Sequence, residues 1–291
     1  MQLKKYIKSN KLMYKILYPI VNVIRRGWGI NVKTFLFYTQ FIIKKIGFFR
    51  NKSFIKLKNT CKGKIAFVVA TGPSLKESDL EWLEKNDIDT FSVNSIFRVY
   101  DRVKWRPTYY VLDDYYAYLS YMEKFKEVDF YNICKKDIFF SQGMKKYVKN
   151  KYPIEKAHFI PFCYYDHWFT NSSQKFNFNE NMEYGYFDLY TVTNFAICIA
   201  KYMGYQEVYL LGVDCNYMGG NLHIGEEETQ DERKEMESLQ DAQFNSYKYL
   251  NECIKECEGK FKVYNATRGG RLEVFERKNM DEIISISNKQ E

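Results

Sequence analysis

The chain has 291 residues, 46% of them hydrophobic and 27% charged. That is enough for one sizeable core with an appendage, and it excludes general disorder. The formal charge of +8 is unevenly placed: residues 1–76 hold 17 Lys and Arg and no Asp or Glu, leaving 27 bases against 36 acids in the remainder. A basic head on an acidic body points to an anionic surface as the partner of the head.

Residues 1–60 alternate Lys and Arg with apolar pairs such as Leu12-Met13, Ile16-Leu17 and Ile20-Val21, and are broken at Pro19, Gly27 and Gly29 into helical pieces. An apolar face with a basic, aromatic rim is the composition of a helix lying among lipid headgroups. A helical hairpin packed on the main domain is the other reading of the same segment. Nucleic acid is set aside, because nothing downstream resembles a base-reading module. No run of about 18 apolar residues is present to cross a bilayer, and no apolar core with a cleavage site opens the chain. The seven cysteines are scattered, and Cys253 and Cys257 lack the second pair a zinc site needs. This usage fits a reducing compartment. The expectation is a cytoplasmic protein held at the inner face of the plasma membrane by residues 1–60.

Residues 61–291 read as one α/β domain. A continuous apolar run over 64–70 has the pattern of a buried parallel strand, and it leads through Thr71-Gly72-Pro73-Ser74 into a helix that includes Leu80 and Leu83. A second strand over 90–93 ends at Asn94, and a third over 108–112 ends at Asp113-Asp114. A helix over 191–204 feeds a buried strand that closes on Gly212-Val213-Asp214. A glycine-bearing and then charged stretch, about 216–240, reads as a lid; a helix is expected from about Ser238 to Cys257, then a short strand before Ala266-Thr267-Arg268. The alternation predicts a Rossmann-like, mostly parallel sheet with helices on both faces.

In such a sheet ligands bind at the carboxyl ends of strands, and here those ends are small or polar. Gly72 lets a ligand approach the backbone, and the helix start after it offers N–H groups to a phosphate. Ser74 with Glu77 three residues on also reads as a capping box, and both roles are compatible. Asp113 and Asp114 are suited to Mg²⁺, or equally to starting a helix. His223, flanked by glycines in the lid, is a titrating group able to reach an acceptor hydroxyl. His167, within Tyr164-Tyr165-Asp166-His167-Trp168, reads as an acceptor-side residue or as aromatic packing. Arg268 reads as a bidentate partner for a carboxylate or phosphate, or as a surface charge in a turn.

Three segments carry a resemblance: Val69-Ala70-Thr71-Gly72-Pro73-Ser74-Leu75-Lys76, then Val93-Asn94-Ser95, then the run from Ala200 through Gly204-Tyr205 to Leu211-Gly212-Val213-Asp214. Together they resemble the bacterial sialyltransferases of the Campylobacter type. They also resemble a wider group, the domain shared by flagellin-glycosylating motility-associated factors and hydroxymethylpterin diphosphokinase-like proteins. The resemblance covers residues 62–275 and none of the basic head. It implies nucleotide contacts from Thr71, Gly72, Pro73, Ser74, Asn94, Asp113, Thr191, Thr193, Gly212 and Asp214. It further implies a histidine base and tyrosine hydroxyls at the leaving phosphate, for which His223 and Tyr217 stand nearest. Two departures are visible: His223 follows Asp214 by only nine residues, and Asp113-Asp114 stands where the sialyltransferases have an Asn.

The expectation is thus an inverting, CMP-sugar-dependent glycosyltransferase of cell-surface glycan synthesis. It would need no cofactor beyond its donor and would act on a glycan or lipid-linked acceptor. The alternatives are a Mg²⁺-dependent pyrophosphate transferase with Asp113 and Asp114 on the metal, and a non-catalytic, membrane-tethered nucleotide-binding scaffold.

Overall fold

The computed structural model describes residues 52–124, 132–148, 154–160, 162–163, 182–184, 186–187, 189–216, 222–224 and 230–288. An eight-stranded, all-parallel sheet has the order β10-β9-β8-β1-β2-β3-β4-β5. The strands are β1 (Ile65–Val69), β2 (Thr90–Val93), β3 (Tyr109–Leu112), β4 (Ile138–Ser141), β5 (Ala157–Ile160), β8 (Glu207–Leu211), β9 (Lys262–Asn265) and β10 (Glu276–Arg277). Two further short strands, β6 (Phe162–Cys163) and β7 (Tyr186–Phe187), pair in parallel beside it. The chain lays down β1 to β5 outward on one side and returns to place β8, β9 and β10 on the other, so the order reverses between β1 and β8.

The apolar runs form strands buried on both faces. Ala66, Val68 and Ala70 of the β1 segment pack into one core with α5 (Val192–Met203) and α6 (Gln230–Lys255). Phe67 and Val69 point to the opposite core, with Leu80 and Leu83 of α2 (Glu77–Lys85), Tyr118 of α3 (Tyr115–Lys124) and Met280 of α7 (Met280–Asn288). Helices on both faces of a parallel sheet are what the sequence pattern required. Thr191 ends α5 at its start by accepting the Asn194 N–H on its hydroxyl, and Gly204 ends it in the left-handed region, φ 93°.

Two boundaries differ from expectation. The basic head does not stop at residue 60 as a separate unit, because its last turn is part of the body. Phe54, in α1 (Lys52–Ile55), is fully buried and stacks on Tyr202 with ring centroids 4.5 Å apart. The Asn59 and Cys61 N–H groups then donate to the Tyr202 and Met203 carbonyls, terminating α5 and fixing the entry into β1. Burial of one phenylalanine stabilises by about 1.5–3 kcal/mol, enough to hold so short a helix. Residues 1–51, with most of the expected lipid-facing segment, lie outside the described residues. Among the described residues no helix is long and apolar enough to cross a membrane. The second difference is α6, which starts at Gln230, eight residues before the helix was expected, inside the presumed lid.

Candidate active-site cleft

The β1–β8 pair continues past the strands. Ala70 N–H donates to the Leu211 carbonyl and Gly72 N–H to the Gly212 carbonyl, both at 2.8 Å. This brings Gly72 against the chain after β8 so closely that a Cβ on it would lie 1.9 Å from Asp214 Oδ2 and 2.4 Å from the Gly212 oxygen. Gly212 is constrained in return: its φ is +69°, and a Cβ there would meet the Ala70 carbonyl at 2.7 Å. A Gly72→Ala substitution is therefore expected to cost at least about 1–3 kcal/mol, seen as a lowered urea midpoint. An unchanged midpoint would mean that the two strand ends part without penalty.

Asp214 explains the glycine. Its carboxylate accepts the Ser74 hydroxyl at 2.9 Å and the Ser74 backbone N–H as well. Burial raises the Asp214 pKa above the ordinary carboxylate value, and the two Ser74 hydrogen bonds oppose that rise. Ser74 is consequently not the helix cap. The helix starts at Glu77, with Lys76 in the capping position and its N–H donated to Asp79 Oδ2 at 3.4 Å. The Gly72-Pro73-Ser74 turn thus ties β1 to β8 across the point of reversal, with the Gly72 N–H on the Gly212 carbonyl and both Ser74 donors on Asp214.

At that point the strand ends surround a cleft of about 320 Å³, within the range of small-molecule sites. Thr71 and Gly72 line it from β1, Asn94 from β2, Asp113 and Asp114 from β3, and Gly212 and Asp214 from β8; Thr191 and Thr193 come from the start of α5, and His223 from the segment after β8. All were singled out in the sequence. Pro73 and Ser74 are not among the lining residues. Tyr217 and His167 lie outside the described residues. The fifth strand end, after β9, braces the cleft from behind: Thr267 Oγ1 accepts the Val213 N–H at 3.0 Å, and Asn265 donates to the Leu272 carbonyl.

His223 is held by two contacts with one residue and its neighbour. The Ile224 N–H donates to the Thr71 carbonyl at 2.7 Å, and Thr71 Oγ1 lies 3.0 Å from His223 Nδ1. The imidazole is therefore fixed to the end of β1, inside the cleft. Asp114 caps α3, its carboxylate accepting the Tyr116 N–H at 2.7 Å. Among the described residues, no three His, Cys, Asp or Glu side chains gather closely enough to hold a metal ion.

Arg268 is not a ligand-side residue. It pairs with Asp79, which is fully buried, and with Asp281 at 2.6 Å, joining the turn after β9 to the starts of α2 and α7.

Several lining residues went unread in the sequence. Met236, Leu239, Gln243 and Tyr247 form one face of α6 along the cleft. Their spacing of three, four and four is a helical stripe, hidden because the charged stretch before Ser238 was taken for a loop. Tyr247 is 2% exposed and hydrogen-bonded to Thr191 and Thr193, and burial pushes its hydroxyl well above the usual phenol value, so it stays protonated. Three lining residues other than glycine also sit in the left-handed region: Asn94 (φ 50°), Tyr190 (φ 69°) and Cys215 (φ 48°). Asn94 is braced by the Tyr110 hydroxyl, which donates to its carbonyl at 2.6 Å. Strain of this kind costs about 1–3 kcal/mol per residue and gathers at functional sites.

A parallel sheet with helices on both faces and a cleft at its point of reversal defines a Rossmann-like α/β fold. The family model described as 6-hydroxymethylpterin diphosphokinase MptE-like matches residues 41–220, and the chain belongs to that family. No curated protein matches the chain. Among solved structures it is similar to the Maf glycosyltransferase from Magnetospirillum magneticum AMB-1, with 17% identity and a TM-score of 0.47. That match covers 87% of this chain and 43% of the other, so the chain spans less than half the length of that protein. It is also similar to the sialyltransferase CstII from Campylobacter jejuni, solved in complex with a substrate analogue, cytidine-5′-monophosphate. Identity there is 19% and the TM-score 0.42, over 74% of this chain and 85% of that one. Both groups named from the sequence motifs recur in these matches.

Proposed function

We infer that the protein is a glycosyltransferase that takes its sugar from a nucleotide donor of the CMP type and transfers it with inversion. The observation that carries this reading is the imidazole of His223, fixed 3.0 Å from Thr71 within the cleft that Asn94, Thr191, Thr193 and Asp214 also line. In the tautomer whose Nδ1–H donates to Thr71, Nε2 holds the lone pair that a general base needs. The acceptor hydroxyl passes its proton to Nε2, its oxygen bonds to the anomeric carbon, and the bond from that carbon to the phosphate oxygen breaks. The departing phosphate keeps the electron pair. The first turn of α5 supplies N–H groups and a positive dipole end for that charge, and Tyr217 is the further donor that the resemblance implies.

A second reading is favoured by the family description and by Asp113 and Asp114 in the cleft lining. It is a Mg²⁺-dependent transfer of pyrophosphate from ATP to a hydroxymethyl compound. Two carboxylates are a fitting donor set for Mg²⁺ when phosphates and waters complete its shell, and the ion would neutralise charge on the transferring phosphates. Asp113 and Asp114 would hold it, with His223 again taking the hydroxyl proton.

Thermal unfolding with CMP, CDP, UDP, GDP and ATP, each with and without Mg²⁺, separates the two. CMP at a hundred times its dissociation constant is expected to raise the midpoint by about 5–10 °C without metal. A response to ATP and Mg²⁺ alone would replace the first reading with the second.

A further inference from the structure

Next to the β3 end of the cleft, α3 carries several tyrosines that the transfer chemistry leaves unassigned. Asp113, Asp114 and Ala117 line the cleft, and between them on α3 stands Tyr116, 78% exposed, with Leu119 one turn further on at 42%. Single exposed apolar groups are ordinary on a protein surface. This one differs in how firmly its mount is built. The Asp114 carboxylate accepts the Tyr116 N–H at 2.7 Å. The neighbouring Tyr115 ring stacks on Tyr147, which lies in the short helix α4 (Lys145–Val148) after β4, with centroids 3.8 Å apart and planes 24° from parallel. Ser141 at the end of β4 donates its hydroxyl to the Asp113 carbonyl at 2.7 Å. The first turn of α3 is therefore capped by its own Asp114 and pinned to its neighbours at two points, while the ring of Tyr116, tilted against Tyr115 with centroids 5.5 Å apart, stays mostly in solvent.

We propose that Tyr116, with Asp113, forms the acceptor subsite, and that it receives a neutral sugar ring. A pyranose presents an apolar C–H face and a rim of hydroxyls. The negative face of a phenol ring suits the first, and a carboxylate accepts from the second. Among the described lining residues the charged side chains are Asp113, Asp114 and Asp214, with His223 as the titrating group; no Lys or Arg is among them. With the donor phosphate received by the first turn of α5, the remaining carboxylates favour an uncharged acceptor over a second anion. The inference rests on the glycosyltransferase reading and adds to it the side from which the acceptor enters.

The test uses the full chain and saturation-transfer NMR with methyl glucoside and methyl galactoside as neutral probes, and the methyl glycoside of a sialic acid as the anionic one. The neutral probes are expected to bind better than the anionic one. Tyr116→Ala is expected to weaken their binding roughly tenfold or more, about 1.4 kcal/mol, and Tyr116→Phe to preserve it. The midpoint shift produced by CMP should be the same in both variants. Equal binding by Tyr116→Ala, no saturation transfer to any neutral probe in the parent protein, or preference for the anionic probe would each overturn the subsite. Glycoside binding through Tyr116 without any response to CMP would instead leave the subsite standing and remove the CMP-donor reading.

Discussion

Replacing Arg268 with alanine is expected to lower the stability of the domain by about 3–5 kcal/mol, the usual loss when a buried charge pair is broken from one side. Asp79 is fully buried and Arg268 largely so, with 18% of its side chain exposed, while Asp281 is exposed. Removal of the guanidinium leaves the Asp79 carboxylate with the weak Lys76 N–H at 3.4 Å as its remaining described polar contact outside its own helix. The urea midpoint reads the loss directly. A second variant separates charge from packing: Arg268→Ala combined with Asp79→Asn keeps an acceptor for Lys76 and removes the unpaired charge. It should recover most of the stability lost by Arg268→Ala. If the single and double variants unfold alike, the pair contributes by packing alone. The same cluster has a pH signature. The Arg268 guanidinium beside Asp281 holds that carboxyl below the usual range. A depressed folded value means that this stabilisation is present above the unfolded value of about 4 and fades as the pH falls through the lowered one.

What the sequence disclosed and what it hid divide along one physical line. The strands β1, β2, β3, β8 and β9 were legible because a strand buried on both faces is a continuous apolar run, and each ended where a glycine or short polar residue broke it. The strand ends that line the cleft were legible for the same reason: once the sheet is parallel, topology brings Gly72, Asn94, Asp113 and Asp214 to one edge. The pairings across that edge were not. Ser74 satisfied a local capping rule with Glu77, but its actual partner, Asp214, lies 140 residues away. Arg268 read as a partner for an anion or as a surface charge in a turn, and its buried partner Asp79 is 189 residues distant. Local pattern fixes local structure; it holds no record of which distant group takes up a donor or a charge. The start of α6 was missed by a different route. Its first turns are charged nearly all round, and the stripe of Met236, Leu239, Gln243 and Tyr247 becomes a helix face only once the cleft beside it is seen.

His223→Ala is expected to reduce turnover by about 100- to 10,000-fold, the range a positioned general base contributes, with the nucleotide-induced midpoint shift left nearly intact. The side chain lines the cleft alongside Asn94, Thr191 and Thr193, and those residues do not depend on the imidazole for their own positions: Thr191 is fixed by the start of α5 and Asn94 by Tyr110. His223→Gln tests the same point more narrowly, since glutamine is able to hydrogen-bond to Thr71 but is not a base; it should be as impaired as the alanine variant. Thr71→Val keeps the imidazole but removes the hydroxyl 3.0 Å from Nδ1 that holds it. Its loss should be smaller, up to about 100-fold for a group displaced by an ångström, and it should disappear in the His223→Ala background, because a positioning contact has no effect once the group it positions is gone. Steady-state rates of the three single variants and the double variant decide the matter. Full turnover in His223→Ala would remove the base from this position. An additive double variant would show that Thr71 acts on the substrate directly, as a residue of the cleft lining, and leave His223 to be oriented by other contacts.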